Sequence, residues 1–294
     1  MPSRLATEIR PLHADDPHFP AGLHDLADTP SILYARGALP PPIGQTVAMV
    51  GSRAASTYGR AMAERLAGDL TRLGYAIVSG LARGIDAAAH AGAMNAGGGT
   101  WAVLPSGLDA ITPRHHERLA ESIMERGGLV TEIAGGGPRG KGEFIRRNRL
   151  IAALASAVVV VEAAGTSGAL ATAAAGRRLG RQVLAVPGDV DRETARGCHR
   201  LLRQGAALCE EAHDVIVAIE RWRAERGSPA TGDGAPRTAA ARVLRALATR
   251  ARTLEALARH ADLAPAETLA ALLSLEWGGS ARRWPGPRWS RVEP

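Results

Sequence analysis

The stretch VAMVGSR at residues 47–53 decides the fold of this chain. Its apolar run stops at a glycine, a hydroxyl and an arginine, as expected when a buried parallel strand delivers its carboxyl end to an anion. The pattern returns at residues 77–84 as IVSGLARG. Two such strand ends predict one phosphate-binding crevice. Neither has the GxGxxG spacing of a dinucleotide site, so the ligand need not be a dinucleotide.

Around this stretch, short apolar segments alternate with helical patterns rich in Ala, Leu and Arg. This alternation is typical of a doubly wound, mostly parallel sheet with helices on both faces, which is an α/β fold. The predicted strands are 46–50, 75–79, 100–104, 128–132, 157–161 and 182–186, and the predicted helices are 58–73, 84–96, 114–126, 143–155 and 168–179.

The two ends of the chain have a different organisation from its middle. Three short helical patterns, at about 238–248, 253–260 and 265–275, precede alternating Arg and Trp around Pro-Gly at 281–291, which predicts a β-hairpin. Three helices followed by a hairpin are the order of a winged helix. The expected division is an irregular lead-in arm at 1–44, a Rossmann-like domain at 45–222, a linker at 223–237 and a small winged-helix domain at 238–294.

Composition narrows the class of partner. The chain has 294 residues and a net charge of +7, which favours a polyanionic partner, nucleic acid before an anionic membrane. Aromatic residues make up only 3% of the chain, so a base-stacking site must depend on one or two rings. Of the 36 basic residues, only Lys141 is a lysine.

Other features exclude several classes of protein. The two cysteines form no CxxC motif and have no His pair at metal spacing, which argues against a disulfide framework and a zinc site. We expect no metal and no cofactor, and a reduced, cytoplasmic setting. The start of the chain has no signal-peptide pattern, and no apolar run reaches membrane-spanning length, so no membrane insertion is expected.

Three segments carry candidate binding chemistry. At the first strand end, Gly51 permits close approach of a ligand, Ser52 can donate to a phosphate and Arg53 supplies a charged fork, with free N–H groups expected at the following helix N-terminus. At 140–149, four cations surround Phe144, which could stack on a base while Lys141 and an arginine hold phosphates. The glycines and hydroxyls of 165–168 form a further strand end suited to phosphate.

Two pairs of residues invite a catalytic interpretation. Asp86 and His90 are four residues apart on one helix face, but no nucleophile or metal ligand is spaced to join them, so Asp86 is expected to orient His90. Cys198 and His199 are adjacent, and neighbouring helical side chains point apart, so they are not expected to form a nucleophile–base pair. The sequence therefore predicts no catalytic residues.

Several motifs in this order resemble the DprA (Smf) family of DNA-processing proteins. They are VGSRAASTYG (50–59), SGLARGIDAAAHAGAM (79–94), WAVLPSGLD (101–109), FIRRNRLIAALASAVVVVEA (144–163), TSGALATA (166–173), VLAVPGD (183–189) and GCHRLLRQGA (197–206). The resemblance covers roughly 45–220, and residues 16–39 look like the family's lead-in segment.

The resemblance implies an extended Rossmann-like fold that binds single-stranded DNA, forms a homodimer and loads RecA onto incoming DNA during natural transformation. By motif, Arg53 is carried over as a phosphate-binding arginine, and Lys141 and Phe144 as contacts to the DNA strand. The other DNA-binding positions that the motifs imply are Gly51, Ser52, Asn148, Arg149, Ser167 and Gly168.

Two alternatives belong to different functional classes. Rossmann-like hydrolases that cleave nucleoside monophosphates have PGGxGTxxE, but here Gly165 and Thr166 are followed by Ser167, Gly168 and Ala169, so the glutamate position is alanine. A winged-helix regulator would use Arg282, Arg283, Arg288 and Arg291 on phosphates, yet the helix at 265–275 offers few polar side chains for base readout.

Overall fold

The computed structural model describes residues 8–226, 239–247, 251–277, 280–286 and 288–292. The chain divides into two compact units, Met1–Pro229 and Ala230–Pro294. Among the described residues, no helix has both the length and the hydropathy that a membrane span requires.

The larger unit is a single sheet with helices packed against both faces. Its strands are β1 (Arg10–His13), β2 (Ile32–Gly37), β3 (Thr46–Val50), β4 (Ala76–Ser79), β5 (Thr100–Val103), β6 (Gly128–Thr131), β7 (Ala157–Val160), β8 (Gln182–Ala185) and β9 (Ala207–Leu208). Its helices are α1 (Thr57–Arg72), α2 (Ile85–Asn95), α3 (Glu117–Met124), α4 (Lys141–Ala153), α5 (Ala169–Arg178), α6 (Arg196–Arg203) and α7 (Ala212–Glu225).

The order of the nine strands fixes where a ligand can bind. The order is β1-β2-β6-β5-β4-β3-β7-β8-β9, and β6 through β9 in this order are parallel. The chain runs outward from β3 through β4, β5 and β6, and then returns to place β7 on the other side of β3. This reversal is a topological switch point, and the crevice outside the carboxyl ends of β3 and β7 is the expected binding position in such folds.

The continuous apolar character of the central strands follows from their two covered faces. Along β3, Val47 and Met49 pack into one core with Leu66 of α1, whereas Ala48 and Val50 pack into the core on the opposite face with Leu150 of α4. Successive side chains of a strand point to opposite faces, so both sets must be apolar. The predicted α/β fold and its six parallel strands are confirmed.

The irregular arm predicted for 1–44 is wrong for two segments. β1 and β2 form an antiparallel pair, and β2 also pairs with β6, with Tyr34 opposite Thr131. Every second residue of β2 is buried, including Leu33 and Ala35. These strands continue the main sheet, but neither has the fully buried apolar run that identified the central strands. The two-residue strand β9 was not predicted either.

His90 of α2 is a buried imidazole that the sheet positions. Its Nδ1 lies 2.8 Å from Thr100 Oγ1, which donates to Ile77 O. The expectation that Asp86 orients His90 is wrong, because the Asp86 carboxylate instead accepts from the backbone N–H groups of Gly80 and Ala82. Burial, together with the positive charges of His116 and Arg147, lowers the pKa of His90 to about 3.

The buried imidazole predicts an acid-sensitive fold. In the unfolded chain His90 takes up a proton below pH ~6.5, whereas in the folded protein its imidazole stays neutral down to about pH 3. The stability of the folded protein is therefore unaffected by this group above pH ~6.5 and decreases as the pH falls toward 3. From this shift, His90 is expected to lower the free energy of unfolding by ~2 kcal/mol between pH 7 and pH 5. Urea unfolding at the two pH values measures the loss, and His90→Asn, which has no titratable ring, should reduce it by that amount. Equal losses in both proteins would contradict the assignment.

The smaller unit has the predicted winged-helix order. Its elements are α8 (Ala239–Ala246), β10 (Arg252–Thr253), α9 (Leu254–Ala261), α10 (Pro265–Trp277), β11 (Ala281–Trp284) and β12 (Arg288–Arg291). Val243, Leu257, Leu272 and Trp289 meet in its own core. The short β10, which was not predicted, pairs with β12. Of the proposed linker at 223–237, Arg223 to Glu225 continue α7, and 227–237 lie outside the described residues.

Candidate nucleic-acid interface

A crevice of about 530 Å³ lies at the switch point between the carboxyl ends of β3 and β7. The loop after β3, the loop after β7 and the first turns of α4 form its walls. Of the nine residues predicted to bind DNA, eight line it: Gly51, Ser52, Arg53, Lys141, Phe144, Asn148, Ser167 and Gly168. The sheet topology therefore brings together three segments that are far apart in sequence.

The loop after β3 presents Arg53 to solvent. Ser52 N donates to Glu162 O at 2.7 Å, and Ser52 O accepts from Ile85 N at 3.2 Å, so the loop is fixed to both neighbouring strand ends. Gly84 has a φ of +77° and its α-carbon lies against this loop, where a side chain would meet Ser52 O. The exposed Arg53 guanidinium lies 4.9 Å from the centre of the Phe144 ring, a cation–π contact.

Two N–H groups at the start of α1, those of Ser56 and Gly59, already have acceptors within the protein. Ser56 caps this helix by accepting from Gly59 N at 3.0 Å. The buried Glu162 carboxylate accepts from Ser56 N at 2.8 Å and from Ser56 Oγ at 2.5 Å. A carboxylate from the end of β7 thus occupies the anion position at this helix N-terminus. A phosphate at the start of α1 would therefore meet a negative charge, which counts against the predicted use of free amides there.

The first turns of α4 supply Lys141 and Phe144. Lys141 is exposed and Phe144 is half-buried, and both line the crevice. The predicted ring of four cations around Phe144 is wrong, because Arg146, Arg147 and Arg149 have other partners. Arg146, for example, extends away from the crevice to Glu132, at 3.3 Å. Arg53, Lys141 and the buried Arg147 are the cations that line the crevice with Phe144, and Arg53 is the one that lies over the ring.

Arg147 is a buried cation that ties α4 to the central strands. Its Nη1 donates to the carbonyl of Gly80, the residue after β4, at 2.8 Å, and to the carbonyl of Val103, the last residue of β5. The side chain is also close enough to the buried Asp86 for their charges to interact. Burial lowers the pKa of Arg147 to about 10 and raises that of Asp86, and each charge opposes the shift of the other.

The next two residues each hold a different neighbour. Asn148 Nδ2 donates to Gly168 O at 3.2 Å, which joins α4 to the start of α5. Arg149 pairs with Glu132 at 2.5 Å and with Asp28 at 3.0 Å, and its side chain is only 12% exposed. Arg149 is the predicted site residue that does not line the crevice. Its contacts hold α4 against the end of β6, and its DNA-binding role stays a prediction.

The loop after β7 closes the opposite wall. Ser167 is partly exposed, and its Oγ accepts from Ala169 N at 3.3 Å, so the hydroxyl proton remains available to a ligand. Ala169, at the glutamate position of the related hydrolases, is buried and lines the crevice. A methyl group therefore faces the ligand where that chemistry requires a carboxylate.

The remaining candidate residues, Cys198 and His199, do not form a catalytic site. The thiol of Cys198 is buried beneath Val160 and burial raises its pKa to about 12, so it is not a nucleophile at neutral pH. His199 instead donates from Nε2 to Gly188 O at 3.0 Å, which confirms that the two side chains form no pair. Within the described residues, no three His, Cys, Asp or Glu side chains are grouped as metal ligands.

The winged-helix unit has an unusual surface for a sequence reader. On α10 the exposed positions include Ala266, Leu269, Ala270 and Leu273, which offer no hydrogen-bonding groups to base edges. The four arginines of the hairpin, Arg282, Arg283, Arg288 and Arg291, are all exposed. This unit is thus able to contact phosphates but poorly equipped to read a sequence.

Comparison with known proteins places both units in one family. Residues 10–220 match the family described as DNA recombination-mediator protein A, and residues 228–287 match the DprA winged helix domain. A Mycobacterium tuberculosis protein that carries the name DNA processing protein DprA is 40% identical over 267 residues, covering 89% of this chain and 68% of that protein. The Streptococcus pneumoniae DNA processing protein DprA is 38% identical over 205 residues, covering 70% and 72% respectively.

Two solved structures are also similar. The crystal structure of Streptococcus pneumoniae DprA superposes with a TM-score of 0.67 and 35% identity, covering 73% of this chain and 76% of that one. DNA processing protein A from Helicobacter pylori, solved for its single-stranded DNA binding mode, gives a TM-score of 0.64 and 26% identity, covering 73% and 96%.

Proposed function

This chain belongs to the DprA family of DNA recombination-mediator proteins, and from that premise we propose that it binds single-stranded DNA. We further propose that it protects incoming DNA and loads RecA onto it during natural transformation. The proposal includes a homodimer. It also includes a cytoplasmic setting, in keeping with two buried, unpaired cysteines. We assign no residues to the RecA or dimer surfaces.

The observation that carries the DNA-binding proposal is the meeting of Arg53, Lys141 and Phe144 in one crevice. Two exposed or accessible cations in the same crevice as an aromatic ring suit a single strand, because phosphates bind the cations while an unpaired base stacks on the ring. A duplex keeps its bases stacked inside and cannot use the ring without being opened. The arrangement therefore favours single-stranded over double-stranded DNA.

Lys141 offers a direct test because it is the only lysine in the chain. Reductive methylation modifies only lysine and the N-terminal amine, so modification of Lys141 can be followed by mass spectrometry. Bound oligo(dT) is expected to protect Lys141, while a duplex of the same length protects it less. In fluorescence anisotropy, Lys141→Ala should weaken oligo(dT) binding. The salt slope, which is the change of log K with log salt concentration, should fall in magnitude by ~0.7, as for one lost phosphate contact.

The matched control is Lys141→Arg, which keeps the charge and should retain most of the affinity. Millimolar or weaker binding of oligo(dT) by the unmodified protein, or affinity that does not change with salt, would refute DNA binding at this site. The loading step is tested separately by adding this protein to the same oligonucleotide before or after RecA and measuring RecA assembly. A protein that binds DNA without recruiting RecA would leave that assembly unchanged in either order.

A further inference from the structure

Three neighbouring strand ends beside the crevice are joined in series. The loop after β4 contacts the loop after β3 through the hydrogen bond from Ile85 N to Ser52 O, at 3.2 Å. On its other side, the same loop accepts a hydrogen bond at Leu81 O from His116 Nδ1, at 2.8 Å. His116 belongs to a short 3-10 helix, Arg114–His116, in the connection that follows β5. The three loops thus form one hydrogen-bonded row along the carboxyl edge of the sheet.

The backbone of the middle loop is held in a demanding conformation. Leu81 is fully buried and has a φ of 58°, in the left-handed region that β-carbon-bearing residues seldom adopt. Such a conformation persists only where surrounding contacts enforce it, and here these contacts include the hydrogen bond from His116. The loop therefore presents its exposed residue, Arg83, from a fixed position.

Each of the three loops presents an exposed arginine: Arg53 after β3, Arg83 after β4 and Arg114 after β5. Neither Arg83 nor Arg114 takes part in the ion pairs formed within the described residues, so both charges remain available to a ligand. Neighbouring parallel strands lie about 4.8 Å apart, so the row from β3 to β5 is about 10 Å long. One stacked nucleotide advances a strand by only ~3.4 Å, so the row is long enough to contact more than one nucleotide.

We propose that Arg83 and Arg114 continue the DNA site, so that a single strand held in the crevice runs across the ends of β4 and β5. This inference rests on the proposed function and adds a direction and a length to it. Arg114 also lines a second cavity, of about 780 Å³, but Asp109, Glu117 and Glu121 share that lining, so the proposed path ends at Arg114. The ligand of the row is the sugar-phosphate backbone, since arginines in a line contact phosphates without reading bases.

The test compares oligo(dT) of about 5 nucleotides, which fills the crevice, with oligo(dT) of about 15, which can reach both arginines. Replacing both, as Arg83→Ala with Arg114→Ala, is expected to weaken binding of the longer strand on the order of tenfold and to reduce its salt slope by ~1.4. Affinity for the shorter strand should be unchanged. The matched control is Arg178→Ala, which removes an exposed arginine from the C-terminal end of α5, at the opposite edge of the sheet.

The outcomes separate the two proposals. Equal loss for both lengths, no loss for either, or the same loss in the Arg178 variant would overturn the proposed path while leaving crevice binding intact. Failure of the unmodified protein to bind either strand would overturn the proposed function, and the path with it. Both arginines are exposed, and circular dichroism of the double variant checks that the fold is retained.

Discussion

Arg147→Met is expected to lower the free energy of unfolding by about 3–5 kcal/mol, the usual cost of removing one member of a buried charge pair. The substitution leaves Asp86 buried without its cation and leaves the carbonyls of Gly80 and Val103 without this donor. The guanidinium is closely packed in the native protein, because a β-carbon at Gly80 would lie 2.5 Å from it. Urea unfolding at pH 7 measures the loss.

Two further variants identify its cause. Arg146→Met removes the neighbouring arginine, whose side chain is 58% exposed, and should change stability by no more than ~0.5 kcal/mol. Combining Arg147→Met with Asp86→Asn should cost less than the sum of the two single changes, because the unpaired carboxylate is removed with its partner. Strict additivity would show that Arg147 acts only through the two carbonyls.

Phe144→Ala is expected to weaken binding of oligo(dT) by about 5- to 150-fold, which corresponds to ~1–3 kcal/mol of lost base stacking. The ring is half-buried and lines the crevice, and the alanine offers a strand no aromatic face. Fluorescence anisotropy at constant salt measures the effect. The salt slope should stay near its original value, because no phosphate contact is removed.

Phe144→Trp is the control, because it keeps an aromatic face and should retain most of the affinity. The contact between Arg53 and Phe144 also makes the two positions interdependent. Arg53→Ala and Phe144→Ala together should therefore depart from the sum of the single effects. A normal affinity in Phe144→Ala, with a fold confirmed by circular dichroism, would show that bases do not stack in the crevice.

The central strands were predictable because both faces of the sheet are covered, and a strand buried on both sides is apolar at nearly every position, as in β3 and β7. The strands of the arm, β1 and β2, were not predictable. They extend the edge of the sheet, and the position of β2 depends on its pairing with the distant β6, with Tyr34 opposite Thr131. The local sequence does not show which distant strand will pair with it.

The crevice was also predictable as a set of strand ends, but the partners of the individual charged side chains were not. Arginine next to arginine in 146–149 gave the impression of one basic cluster, whereas a helix turns each residue about 100° from the last. The sequence does carry one signal that Arg147 is buried, because Arg147, Leu150, Ile151 and Leu154 follow the i, i+3, i+4, i+7 spacing of a buried helix face. All four are buried.

The carboxylate of Glu162 at the start of α1 has a consequence for competition inside a cell. A free nucleotide depends on one phosphate group and commonly lodges it against the open end of a helix, but here that end already holds a negative charge that repels a second. A polymer does not depend on that position, because it can engage separate cations with successive phosphates and gains from holding them all at once. At the start of α1, the fold is therefore expected to favour a chain of phosphates over a single phosphate group.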